Sequence, residues 1–135
     1  MAWKRIILFL FIFSVSTEAK EFNINKITDL NAPWGSTFVS SKELLITEKS
    51  GKIKLINLDT GNNSEVNHNL KILEDGQGGL LDILYRDNIV YVSYSEDHGK
   101  FKSTTSIARA NLDRGELKFD NIFVLVTLVL TVLNL

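Results

Sequence analysis

Residues 74–82 read EDGQGGLLD, and the one side chain there that offers both a hydrogen-bond donor and an acceptor is Gln77. Gly76, Gly78 and Gly79 surround it. Glycine costs conformational entropy and is kept where φ must be positive or where something must approach the backbone. A phosphate cradle would need a strand before the glycines, a helix N-terminus after them and, in a P-loop, a lysine. The sequel LLDILYRDN is too short for a full helix and no lysine follows the glycines, so that use is set aside. Two uses stay open. The glycines could form a bulged turn that lets the chain enter a crowded strand. They could instead let a ligand approach while Gln77 orients it, which suits a polyhydroxylated substrate. An amide cannot act as a general base.

Other groups capable of chemistry are sparse. The chain has two histidines, His68 in EVNHNLK and His98 in SEDHGK, and neither is accompanied by a carboxylate or nucleophile pattern. Both read as solvated loop or edge residues. Asp75, Asp82, Glu96 and Asp97 lack the D-x-D-x-D-G order of a calcium loop and read as solvated turn acids. Asn62-Asn63-Ser64 is a formal glycosylation sequon.

The elements that must position Gln77 are strands. Runs rich in Ile, Val, Leu, Tyr and Thr recur between polar turns at 34–40, 43–49, 52–58 and 68–73, then at 79–85, 89–95, 104–112 and 116–123. Ile53 and Leu55 share one face with Lys52 and Lys54 opposite, and Val90, Val92 and Tyr94 share another, the alternation of half-buried strands. KSGK, DTGNNS, EDGQGG, YRDN and LDRGE punctuate them. The single proline, Pro33, precedes the first run, where it removes no ladder hydrogen bond. The expected fold class is all-β. The strands fall into two sets of four, each about 45 residues long, the length of one propeller blade. A seven- or eight-stranded sandwich would show a similar pattern.

Composition bounds the partners. A net charge of −1 without a basic stripe excludes a nucleic-acid binder. The start, MAWKRIILFLFIFSVSTEAKEF, has Lys4 and Arg5 ahead of an apolar stretch from Ile6 to Phe13, then Thr17 and Ala19 at the −3 and −1 positions of a cleavage site. Residues 1–19 are therefore expected to be a signal peptide, with cleavage after Ala19 and export to the periplasm. There is no cysteine, so an exported chain would rely on its core or a ligand. The end changes character: from Ile122 to Leu133 every residue is apolar or threonine, without a charge. Both apolar stretches fall short of the ~20 residues that span a bilayer, so no stable membrane span is expected.

LNAPWGSTF, LLITEKSGKIKLI, DGQGGLLDI, VYVSYSE and SIARANL occur in this order, and with them the chain resembles the soluble quinoprotein aldose sugar dehydrogenases, the glucose/sorbosone dehydrogenase family. The resemblance covers roughly residues 28 to 123. It implies a six-bladed β-propeller, of which residues 20–123 would supply about two four-stranded blades. It implies a periplasmic enzyme that oxidises aldoses at C1 to lactones with pyrroloquinoline quinone (PQQ) and calcium and hands electrons to an acceptor. Gln77 matches the family's substrate-pocket glutamine. The family's catalytic histidine lies in a motif just past Phe123, where this chain has VLVTLVLTVLNL. Residues 124–135 are accordingly expected to be an aberrant tail, from truncation or a frameshift. The catalytic base, the PQQ-clamping groups and the calcium ligands are expected to be missing. The alternative expectation is a non-catalytic exported β-module that binds a sugar or a partner, or an inactive fragment.

Overall fold

A computed structural model describes residues 21–125, apart from 101 and 114, with side chains described as far as 122. The expected signal peptide and the tail beyond 125 lie outside the described residues. Every element within them is a strand: β1 (Pro33–Phe38), β2 (Glu43–Glu48), β3 (Ile53–Asn57), β4 (Asn63–His68), β5 (Leu80–Arg86), β6 (Ile89–Asp97), β7 (Ser103–Asn111), β8 (Glu116–Leu117) and β9 (Asp120–Leu125). The expected all-β class is what the structure shows.

The strands form two antiparallel meanders. The first sheet runs β1-β2-β3-β4 and gains the short β8, parallel to β4, as a fifth strand; the second runs β5-β6-β7-β9. Alternation buries one face of each. Val90, Val92 and Tyr94 of β6 point inward and are essentially inaccessible, as are Leu45, Ile53 and Val66 of the first sheet. These side chains join Leu80, Ile83 and Ala108 in one core between the sheets. Fully burying a Leu, Ile or Val side chain contributes about 1.5–3 kcal/mol, so this seam is the main source of cohesion. The opposite face of the first sheet, with Leu44, Ile46 and Ile56, shares a cleft with Ile27 and Leu30 of the segment ahead of β1. On that face Lys54 donates to Glu65 across the β3–β4 pair. That hydrogen bond, more than the nearby charge of Lys52, holds the Glu65 carboxyl below the usual carboxylate range.

Two strand expectations are corrected. The fourth strand occupies 63–68 rather than 68–73, because Asn63 and Ser64, turn formers by type, pair with Ile56 and Leu55. The chain then leaves the sheet and touches the second one through a single bridge, Ile72 to Glu96. The expected strand at 116–123 is split. Asn69 donates to the Phe119 carbonyl at 3.1 Å and accepts from the Phe119 N–H at 2.8 Å, which fixes the break between β8 and β9.

The inner strands of the two sheets meet directly. The Thr47 hydroxyl, fully buried on β2, accepts from the Gly35 N–H at 2.9 Å and donates to the Leu81 carbonyl on β5. The Thr37 hydroxyl accepts from the Tyr85 N–H at 3.1 Å. Without Thr47 these buried backbone groups would be unsatisfied, at about 1–3 kcal/mol each. The segments PWG, TEKSG and GQGGLLD thus converge on one junction between the sheets.

Candidate functional site

Antiparallel order brings the β2–β3 turn, the connector from β4 to β5 and the β6–β7 turn to the same end of the two sheets. The EDGQGG stretch is that connector's last part. Its backbone follows from its residues. The Gly78 N–H donates to the Asp75 carbonyl at 2.6 Å, closing a β-turn. Gly76, its second residue, has φ +52°, while Gln77 keeps a negative φ, the pattern of a II′ turn. Gly79, at φ +148°, lies against the Lys49 backbone, leaving no room for a Cβ. The first of the two open readings describes this structure: the glycines form a tight turn and seat the strand entry against a neighbouring backbone.

Gln77 is exposed at the tip of this turn. Lys49 holds the turn from the first sheet: its ammonium donates to the Gly76 carbonyl at 2.7 Å. The Lys49 carbonyl accepts from the Leu80 N–H at 3.1 Å, and its own N–H donates to the Ala32 carbonyl at 3.0 Å. One residue thus ties the NAPWG segment, the glycine turn and the start of β5 together. Ahead of it Glu48, 4% exposed, accepts from the Asn31 N–H at 2.7 Å. No local pattern announces these tasks for Glu48 and Lys49, because their partners are backbone atoms of distant segments. What the arrangement can do is present an amide, free to donate and accept, at a fixed place on the end of the junction.

The histidines do not join it. His68 is not a solvated edge residue: its Nε2 stands 2.6 Å from the Gly51 carbonyl and its Nδ1 accepts from the Leu70 N–H at 3.3 Å. Both ring nitrogens are engaged, so the ring braces β4 against the β2–β3 turn. His98 is exposed, 2.8 Å from the Thr104 hydroxyl. Among the acids, Asp75 is in the glycine turn, but Asp82 lies in β5 and Glu96 and Asp97 in β6, so these three are strand residues rather than turn residues. Asp82 accepts from the Ile83 N–H at 2.9 Å where the β5–β6 register slips. Among the described residues no group of three or more His, Cys, Asp or Glu side chains could hold a metal ion.

A second polar group escaped the sequence reading. Tyr94 donates to Asn121 Oδ1 at 2.7 Å, Asn121 donates to Glu96 Oε1 at 3.0 Å, and Ser106 donates to Glu96 Oε2 at 2.6 Å. Burial, together with the negative charge of Glu96, pushes the Tyr94 phenol up, and the hydrogen bond to Asn121 opposes this.

Two four-stranded meanders packed through inner strands, the first with one added strand, define adjacent blades of a β-propeller. A family model described as Glucose / Sorbosone dehydrogenase matches residues 30–128, and the chain belongs to that family. A solved glucose dehydrogenase is 30% identical with a TM-score of 0.65, over 70% of this chain and 30% of that one. The PQQ-bound aldose sugar dehydrogenase of Streptomyces coelicolor is 26% identical with a TM-score of 0.61, over 72% of this chain and 31% of that one. The soluble aldose sugar dehydrogenase of Escherichia coli, solved in its apo-form, shares the fold: 23% identity and a TM-score of 0.66, over 73% of this chain and 31% of that one. The chain spans about a third of the length of these structures. No curated protein matches it.

Proposed function

We propose that these two blades shape one rim of an aldose pocket in an exported quinoprotein. In that enzyme the C1 hydroxyl of the sugar is oxidised to give a lactone, PQQ is the hydride acceptor, and a further acceptor takes the electrons. Membership of the family supports the reading, as does the relative solved with PQQ bound. The observation that carries it is the seating of Gln77 at the exposed tip of a turn pinned by Lys49. Its amide can accept from one sugar hydroxyl and donate to another, which orients a substrate without moving a proton. Periplasmic export rests on the charged and apolar start of the sequence.

The general base is assigned outside these blades, because His68 has both ring nitrogens engaged and His98 sits at an exposed strand end. The described residues also do not fit the cofactors. PQQ carries several carboxylates, whereas the one ammonium held at the glycine turn, Lys49, is already bonded to Gly76. No calcium-sized cluster of acids is present among the described residues. No step is therefore derived through either group, and titration of the full chain with PQQ and calcium is expected to show no saturable binding.

The test of the Gln77 assignment is a chimera in which residues 30–125 replace the corresponding part of a solved aldose sugar dehydrogenase. Dye-linked oxidation of D-glucose by the loaded chimera should persist, and Gln77→Ala should lower kcat/KM about tenfold, the loss of one substrate hydrogen bond. A Gln77→Ala chimera as fast as its parent would remove Gln77 from the pocket. A second reading, a non-catalytic exported β-module that binds a sugar or a partner, is favoured by the engaged state of both histidines. Saturable PQQ binding by the chain alone would count against it.

A further inference from the structure

We propose that the cleft between the connector leaving β4 and the start of β9 is a second binding site, for a pyranose ring presenting vicinal hydroxyls. The cleft measures about 350 Å³ and its lining includes Asn69, Lys71, Tyr94, Glu96, Asp120 and Asn121. That volume lies at the small end of ligand pockets, the size class of a single sugar ring. It belongs to the outer part of the two blades, on segments other than the glycine turn, and it stands whether or not Gln77 lines a substrate pocket.

The chemistry follows from which hydrogen-bond sites are already used. Glu96 is held by two donors, one on each oxygen, Asn121 at 3.0 Å and Ser106 at 2.6 Å. A carboxylate offers about four lone-pair sites, so one on each oxygen remains. Two parallel acceptors on a fixed carboxylate match two adjacent hydroxyls. The orientation is set from behind: Ser106 is fully buried, and Tyr94, 2% exposed, locks the Asn121 amide by donating to its oxygen at 2.7 Å. Asn121 keeps one amide hydrogen for a ligand oxygen. Asn69, whose amide oxygen and one amide hydrogen serve the Phe119 backbone, likewise keeps one amide hydrogen. Lys71 and Asp120, both exposed, add one donor and one acceptor at the rim.

Charge selects among ligand classes. Two carboxylates against one ammonium disfavour a phosphate or other anion. The ammonium and the engaged state of both Glu96 oxygens disfavour a metal ion. A neutral ligand rich in hydroxyl groups satisfies the remaining donors and acceptors together.

The full chain, labelled with ¹⁵N and titrated with D-glucose in one series and maltotriose in another, tests this. Saturable amide shifts at millimolar sugar should be confined to 69–71, 94–96 and 119–121. Glu96→Gln should weaken binding about tenfold, and so should Lys71→Met and Asp120→Asn together, which change only exposed side chains. Binding of D-glucose alone assigns the site to a free sugar, and tighter binding of maltotriose assigns it to a ring within a glycan; each supports the proposal. Absence of saturable shifts with both sugars would overturn it. So would shifts confined to 75–79, or a folded Lys71→Met/Asp120→Asn variant that binds as the parent does.

Discussion

Gly35 on β1 and Asp82 on β5 stand so close that a Cβ on Gly35 would lie 2.8 Å from the Asp82 Cα and 3.0 Å from the Ile83 nitrogen. The two blades therefore touch backbone to backbone at their inner strands, and the Thr47 hydroxyl closes the junction by bonding Gly35 on one side and Leu81 on the other. PWG, TEKSG and GQGGLLD, far apart in the sequence, thus each supply one wall of the same contact.

Gly35→Ala is expected to destabilise the chain by about 1–3 kcal/mol, the usual cost of overpacking a filled site. The nearest atom in the way is Asp82 Oδ1 at 2.6 Å, and behind it the Asp82 Cα and the Ile83 nitrogen are backbone, so the sheets must separate. Urea unfolding followed by tryptophan fluorescence measures it. Gly76→Ala is the control, since nothing lies within 4 Å of a Cβ there, and it should cost only the left-handed conformation at φ +52°, about 1–2 kcal/mol. If Gly35→Ala leaves the urea midpoint unchanged, the close approach of the blades is wrong.

Lys49→Met should loosen the Gln77 turn while leaving the core intact. The side chain contributes one exposed hydrogen bond, to the Gly76 carbonyl, whereas its ladder partners are backbone groups that any residue supplies. Amide exchange at Gly78, whose N–H closes the turn, is expected to quicken several-fold, with global stability changed by less than about 1 kcal/mol. Lys49→Arg keeps a donor and should retain most of the protection. Unchanged exchange at Gly78 in the methionine variant would show that the turn stands without Lys49.

Much of this fold is legible in the sequence, and the reasons differ by element. Strand β6 is read correctly because period-two alternation places Val90, Val92 and Tyr94 on a face that the second sheet does bury. Strand β4 is misplaced because Asn63 and Ser64 look like turn residues, yet main-chain pairing to β3 is indifferent to side-chain type there. The break between β8 and β9 rests on Asn69, whose bonds to Phe119 close a loop of 50 residues that no local pattern could announce. The site divides in the same way. The glycines mark Gln77 as a turn residue, and only the family resemblance adds a sugar to it. Thr47, Lys49 and the Glu96–Asn121 pair are invisible as functional groups, since each acts on partners brought in by tertiary structure.

Tyr94 gives the fold an alkaline limit. Burial holds its phenol neutral above the ordinary tyrosine value, and the Glu96 charge adds to this. Because the folded value lies above the unfolded one of about 10, the folded state retains a proton that the unfolded state has lost. The resulting contribution is fully present below the unfolded value and disappears as pH rises through the folded one. The urea midpoint should therefore fall as pH increases beyond about 10. Tyr94→Phe should lower stability at neutral pH by about 1 kcal/mol, the worth of the bond to Asn121, and should flatten the alkaline decline. Equal slopes in the parent and in Tyr94→Phe would mean that another group sets the alkaline limit. A 295 nm titration step in the folded parent, seen before unfolding begins and absent from Tyr94→Phe, would mean that Tyr94 is reached by water and that the Asn121–Glu96 network is open.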